Sequence, residues 1–328
     1  MAERSVGDQL TRYLEDAHSI EEQALAQLRG APEAAGDPGL AEAFREHLTE
    51  TEAHEAAVRE RLHARGAGPS GAKDLGMKVG GAGFLLFARV QPDTPGKLAA
   101  HAFSYEHLEV AAYALLRRVA EAAGDRETAA VAGRIGHEER RMAERLQASF
   151  DAAVDASIRA VGRSDLEDQQ RRYLADAHAI EVQAAQLLER GTKLAGDPEL
   201  GRIYAEHLEE THEHQRLVTQ ALEALGGEPS RLKDAAMAAG AINWAGFFRA
   251  QPDTPGKLAA FTYAFEHLEI AGYQQLLQVA ELRDDAATTA TAAKILEQER
   301  AAARRIEASF DRAAAVSLAA VGVRSGPR

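Results

Sequence analysis

The sequence predicts an all-α protein: two tandem antiparallel four-helix bundles, each with one long crossover between its second and third helices. The first observation behind this reading is an internal repeat. Shifted by 160 residues, Tyr13-Leu14 falls on Tyr173-Leu174 and Glu46-His47-Leu48 on Glu206-His207-Leu208. The segment Gln91 to Ala100 (QPDTPGKLAA) falls on the identical Gln251 to Ala260. About 70 of the 150 positions from 11 to 160 match without a gap. The second observation is turn and cap chemistry at matching places in both copies. The third is that no run sustains apolar–polar alternation, so no strand is expected. Two copies are too few for a solenoid, so each should own a core. The domains are therefore 1–162 and 163–328, joined near Val161 to Asp168.

Taken in order, the first helix should run from about Gly7 to Arg29 and stop at Gly30. Gly36-Asp37-Pro38 reads as an N-cap aspartate followed by proline at the first helical position. That starts a second helix reaching about Arg65. Asp93-Thr94-Pro95 repeats the signal for a third helix ending near Gly124. Asp125 caps a fourth, expected to continue to about Ala156. Short loops make the first and second helices, and the third and fourth, antiparallel hairpins. The connection between the pairs is about 30 residues long, which gives the bundle its crossover. Its apolar part, Leu75 to Val90 (Ala235 to Ala250 in the second copy), suits a short covering helix or a contact between subunits.

Composition narrows the function classes. With 51 acidic residues against 38 basic ones, the formal charge is −13. A surface that replaces DNA counterions needs Lys and Arg, so nucleic acid is not an expected partner. Anionic membranes are disfavoured for the same reason, and Val79 to Val90 is too short and Gly-rich to span a bilayer. The start of the chain has no apolar segment of a signal peptide, so a cytoplasmic location is expected. The absence of cysteine removes disulfides, thiolate catalysis and cysteine-ligated metals. Any metal must be held by carboxylates and histidines.

Carboxylates stand where leucines belong. At spacings of three and four, the first helix reads Leu10, Leu14, Ala17, Glu21, Ala24, Leu28. The third reads Leu98, Ala102, Tyr105, Glu109, Ala112, Leu116, and the fourth Ala132, Ile135, Glu139, Met142, Leu146. The second reads Leu40, Phe44, His47, Thr51, His54, Val58, with Glu50 alongside. Each helix has an acid on or beside its apolar stripe near its midpoint, and four midpoints meet at one level. Converging carboxylates repel and lose solvation, at several kcal/mol each by order of magnitude. A bound cation pair relieves both costs. Oxygen and imidazole donors without sulfur suit iron, manganese or zinc. The second copy retains Glu181, Glu210, His214, Glu266, Glu269 and Glu299. Glu22 and Glu138, replaced by Val182 and Gln298, fall off the stripe as solvated faces should.

These features resemble the ferritin-like di-iron carboxylate superfamily. Within it, "YLEDAHSIEEQ", "EHLTETEAH" and "YEHLEVAAYALL" are similar to the YciE/YciF type of bacterial stress-associated proteins, over nearly all of both copies. The resemblance implies two iron or manganese ions per bundle, a role in stress response, and a Glu or a Glu-x-x-His from each helix. This chain departs from that pattern. Glu50 and His54 are four apart, Glu106 and Glu109 are two acids one turn apart, and Met142 or Ala302 stands where a histidine would follow Glu139 or Glu299.

The expected ligands are therefore Glu21, Glu50, His54, Glu106, Glu109 and Glu139, and Glu181, Glu210, His214, Glu266, Glu269 and Glu299. In the first copy Glu21, Glu50, Glu109 and Glu139 should converge, with His54 and Glu106 at the margin. His47 and His18 suit supporting roles. Tyr13 and Tyr113 suit core aromatics whose hydroxyls find a partner. The leading functional expectation is oxygen, peroxide or iron handling by a dinuclear centre. The alternatives are a non-enzymatic helical stress or scaffold protein and a manganese catalase-like enzyme. Metal ions are the expected partners, and a homo-oligomer is compatible with the sequence.

Overall fold

Helix starts follow the cap chemistry of the sequence. The computed structural model describes residues 5–71, 94–161, 165–229 and 253–323. Asp93 and the apolar crossover segments Leu75 to Val90 and Ala235 to Ala250 lie outside those residues. The described part divides into two compact units, the first ending at Ala160 and the second beginning at Val161, with the residues from Leu318 grouped with the first. Among the described residues there are eleven helices and no strand, and no helix is long and apolar enough to cross a membrane.

In the first unit α1 (Val6–Leu28) begins in a capping box, in which Ser5 and Asp8 exchange side-chain bonds with each other's backbone N–H. After the short α2 (Ala31–Ala34), α3 (Pro38–Ala64) starts with Asp37 Oδ1 accepting from the Leu40 N–H at 2.9 Å. Then come α4 (Thr94–Ala122) and α5 (Arg126–Ala148), whose cap Asp125 accepts from the Thr128 N–H at 2.9 Å. The helix α6 (Phe150–Val161) closes the unit. The second unit repeats this as α7 (Leu166–Leu194), α8 (Pro198–Ala224), α9 (Thr254–Leu282), α10 (Ala286–Ala308) and α11 (Phe310–Ala320). Here α7 runs through the region that α1 and α2 divide between them. Gly30 and Pro32 interrupt the first copy, because proline has no N–H to donate and clashes with the preceding turn; Arg190 and Thr192 do neither.

Two expectations need correction. The fourth helix does not run on to Ala156: it stops at Ala148, and Ser149 joins it to α6. The Ser149 hydroxyl donates to the Arg145 carbonyl at 2.9 Å, and the Phe150 ring meets Phe103 edge-on with centroids 5.1 Å apart. Ser309, Phe310 and Tyr263 repeat the bend. The third helix of the second copy is not capped by its aspartate side chain, since Asp253 makes no such bond. Instead the Gly256 N–H donates to Ser317 Oγ of α11 at 2.7 Å, as Gly96 does to Ser157 of α6 at 2.9 Å. The final short helix of each unit thus satisfies a donor that a helix start leaves open.

Within the first unit α1 packs against α3 and α4, and α5 against α4 and α3, so each long helix touches two others. The Arg65 guanidinium, beyond the end of α3, reaches the Gly7 carbonyl at the start of α1 (2.8 Å) and Asp125 at the start of α5 (3.2 Å), so α3 runs opposite to both. The same pairings hold among α7, α8, α9 and α10. Leu10, Leu14, Phe44, Val58, Leu116, Ile135, Met142 and Leu146 are almost fully buried between the helices. Burying such side chains gains about 1.5–3 kcal/mol each. That supports the cost of the polar layer at mid-helix.

Candidate metal centre

At mid-helix the apolar stripes are interrupted by ionisable side chains, all turned inward. α1 brings Glu21, α3 brings His47 and His54, α4 brings Glu106 and Glu109, and α5 brings Glu139, and all six are buried. His47 and His54 lie two turns apart, and Glu106 and Glu109 one turn apart, so each pair shares a helix face. The second unit brings Glu181, His207, His214, Glu266, Glu269 and Glu299 to equivalent buried positions.

The donor atoms form two adjoining groups. His47, Glu106, Glu109 and Glu139 place one donor atom each within 4.8 Å of one another, and so do Glu21, His54 and Glu139. Glu139 belongs to both. His47 Nε2 lies 3.1 Å from Glu106 Oε2 and 3.5 Å from Glu139 Oε2, while His54 Nδ1 lies 2.7 Å from Glu139 Oε1. The second unit repeats the plan with Glu299 shared. There His207 Nε2 is 2.6 Å from Glu266 Oε2 and 3.4 Å from Glu299 Oε2; His214 Nδ1 is 2.7 Å from Glu299 Oε1 and 3.5 Å from Glu181 Oε1.

These contacts are close but poorly aligned. Both oxygens of Glu109 and of Glu139, Glu21 Oε2, Glu106 Oε2, His47 Nε2 and His54 Nδ1 are buried without an aligned hydrogen-bond partner. The equivalent atoms of Glu269, Glu299, Glu181, Glu266, His207 and His214 are in the same state. An unsatisfied buried polar group costs about 1–3 kcal/mol, and a charged one more. Donors that share one ion stand about 3–3.5 Å apart when their bonds are near 2.0–2.2 Å, the range seen for zinc. The oxygen and imidazole set therefore fits a divalent first-row metal, and the orphaned atoms are the ones a cation would engage.

Burial and mutual repulsion dominate the electrostatics. Burial, reinforced by the charge of Glu139, pushes the Glu21 carboxyl up to about 8. Burial raises Glu106 to about 7 despite the opposing pull of His47, and raises Glu109 well above the ordinary carboxylate range with help from Glu139, Glu21 and Glu106. Burial alone would lower the histidines, but the carboxylates beside them win. Contact with Glu139 lifts His54 to about 9, and Glu106 lifts His47 well above its ordinary value. Protons and a cation would therefore compete for the same donor atoms.

Polar neighbours hold these side chains. The Tyr113 hydroxyl donates a short bond to Glu21 Oε1, and the Tyr273 hydroxyl donates to Glu181 Oε1 at 2.5 Å. His54 Nε2 lies 2.9 Å from Glu138 Oε2, whereas His214 Nε2 lies 3.3 Å from Gln298 Oε1.

The structure brings together most of the residues that the stripes single out, with one exchange. Glu50 stands outside the buried group, with its side chain 36% exposed. Its Oε2 accepts from Arg145 Nη2 at 3.0 Å and lies 3.2 Å from His47 Nδ1, contacts that hold its carboxyl below the usual range, His47 foremost. Glu210 repeats this with Arg305 and His207. Inside, His47 and His207 occupy the positions that Glu50 and Glu210 were expected to fill. The signal for them was present, since His47, Thr51 and His54 lie on the stripe and Glu50 beside it. Glu106 is a full member of the group rather than marginal. Glu138, expected on a solvated face, touches a group member instead. His18 pairs with Glu55 at 2.9 Å near Glu22, away from the centre, and Val182 and Gln215 replace the two acids in the second unit.

Residues 5–159 and again 165–319 match a family profile described as a domain of unknown function, DUF892. No solved structure matches the chain.

Proposed function

We propose that this chain, which belongs to the DUF892 family in each of its two repeats, is a metal-binding protein holding a dinuclear iron or manganese carboxylate centre in each of two ferritin-like four-helix bundles. The observation that carries the reading is the pair of donor groups sharing Glu139, repeated around Glu299, with the carboxylate oxygens of both glutamates unpartnered. His47, Glu106 and Glu109 would hold one ion, Glu21 and His54 the other, and Glu139 both.

Bound iron or manganese would supply Lewis acidity and electron exchange with oxygen, peroxide or iron(II). The chain's own residues do the rest. Tyr113 steadies Glu21 through its hydroxyl, and Glu50 and Glu138 fix the two imidazoles from their outer nitrogens. Val58, Ile135 and Met142, one turn from the donors, exclude bulk water from the layer. The resemblance to the YciE/YciF type extends the reading to oxygen, peroxide or iron handling under stress in the cytoplasm.

Metal content tests it. Full-length protein purified without chelator is expected to carry iron or manganese approaching two ions per repeat, and Glu139→Gln with Glu299→Gln to lose it. A chain that arrives without metal and, once stripped, takes up neither iron(II) nor manganese(II) would leave the helical scaffold reading in its place.

A further inference from the structure

The two repeats differ at the outer nitrogen of one imidazole. In the first, His54 turns Nδ1 toward Glu139 and leaves Nε2 2.9 Å from Glu138 Oε2. That same oxygen accepts from Arg134 Nη1 at 2.8 Å, which orients the carboxylate. In the second, His214 turns Nδ1 toward Glu299, and Nε2 meets the neutral amide oxygen of Gln298 at 3.3 Å. Lys294 stands where Arg134 does and lies 3.6 Å from Glu213. The inner donors are otherwise matched between repeats.

An imidazole whose outer N–H donates to a carboxylate is a stronger base at its inner nitrogen than one donating to an amide. Altering such an outer partner typically changes metal affinity about 10–100-fold. We infer that the two centres of one chain are unequal, the first repeat binding divalent metal more tightly than the second, and that Glu138 against Gln298 sets the difference. Glu138 is a positioning residue that acts through His54. The inference rests on the metal-binding reading above and goes beyond it by ranking the two sites.

Two single substitutions test it, each installing the residue already present in the other repeat, with folding checked by circular dichroism. The full-length, chelator-stripped chain is titrated with cobalt(II), following heat and the visible absorption of the bound ion. Wild type is expected to hold the ion at His54 about tenfold or more tighter than the ion at His214, beside the ions at His47 and His207, whose imidazoles neither substitution touches. Glu138→Gln should bring the His54 and His214 ions together at the weaker affinity and Gln298→Glu at the tighter, and the double exchange should restore a difference. The gain in Gln298→Glu is the decisive arm, because a merely structural role would not tighten binding. Equal affinities of these two ions in wild type, or a difference untouched by either substitution, would overturn the ranking while leaving metal binding standing. Absence of cobalt binding in every variant would overturn both.

Discussion

Glu109 and Glu50 show how differently two mid-helix glutamates of one unit can behave. Glu109 is fully buried, and neither of its oxygens has a hydrogen-bond partner. Burial, then the charges of Glu139, Glu21 and Glu106, push its carboxyl far up. Glu50 is half-buried and bonded to Arg145 and His47. Glu109→Gln, with Glu269→Gln, should therefore weaken metal binding yet raise the melting temperature of the stripped chain, because the amide folds without the proton uptake that the buried carboxyl requires and offers donors to its neighbours. Glu50→Gln should do the reverse in apo protein, lowering stability by no more than about 1 kcal/mol because its ion pair is partly solvated. Differential scanning calorimetry of stripped variants checks both signs. An apo Glu109→Gln that melts lower than wild type would mean Glu109 stabilises the layer without a cation.

Among the elements, the short closing helices have the least obvious role and the clearest consequence. Ser157 and Ser317 receive the Gly96 and Gly256 N–H groups at buried helix starts. Ser317→Ala removes the acceptor of the buried Gly256 N–H and should cost about 1–3 kcal/mol. A urea midpoint unchanged by the substitution would show that another acceptor takes over. The turn before α10 offers the opposite case. Asp284 sits at φ 54°, where the first repeat has Gly124 at φ 73°. A left-handed conformation costs a residue with a Cβ about 1–2 kcal/mol, so Asp284→Gly should raise the thermal midpoint. The measurement is the same melt, and a lowered midpoint would reveal a role for the Asp284 side chain.

For the whole molecule, the raised acids and imidazoles give a definite pH dependence. Glu21, at about 8 when folded, holds a proton that the unfolded chain releases above about 4.5, so its contribution falls as pH rises through that window. His54, raised to about 9, and His214, to about 10, act in the same direction: their stabilisation is complete below about 6.5 and is lost as pH climbs through the folded values. The stripped chain should thus melt lower at pH 8.5 than at pH 6. A cation replaces those protons, so metal binding should tighten over the same range and flatten or reverse the slope. At a hundredfold excess over Kd, an ion bound only by the folded state adds about 2.7 kcal/mol. Melts at both pH values with and without manganese(II) check this. A stripped chain that stabilises as pH rises would contradict the packing of protonated acids.

Helix type, the repeat and the buried layer of acids were legible in the chain itself, because periodicity and caps are local and the duplication displays every signal twice. Glu21, Glu109 and Glu139 could be named from their phase on apolar stripes. What only the tertiary structure decided lies at the stripe edges and between elements. Glu50 and His47 sit three residues apart on one helix, and an Arg145 on another helix draws the glutamate outward while the imidazole stays in. Glu138 reads as a surface acid in the sequence, yet His54 of α3 lies across from it. The bend at Ser149 and the serine that caps a distant helix depend on Phe103 and Gly96, residues far away in sequence. A side chain at a boundary has two environments available within one rotamer change. Which one it takes is set by the neighbours that folding supplies, and local sequence does not contain them.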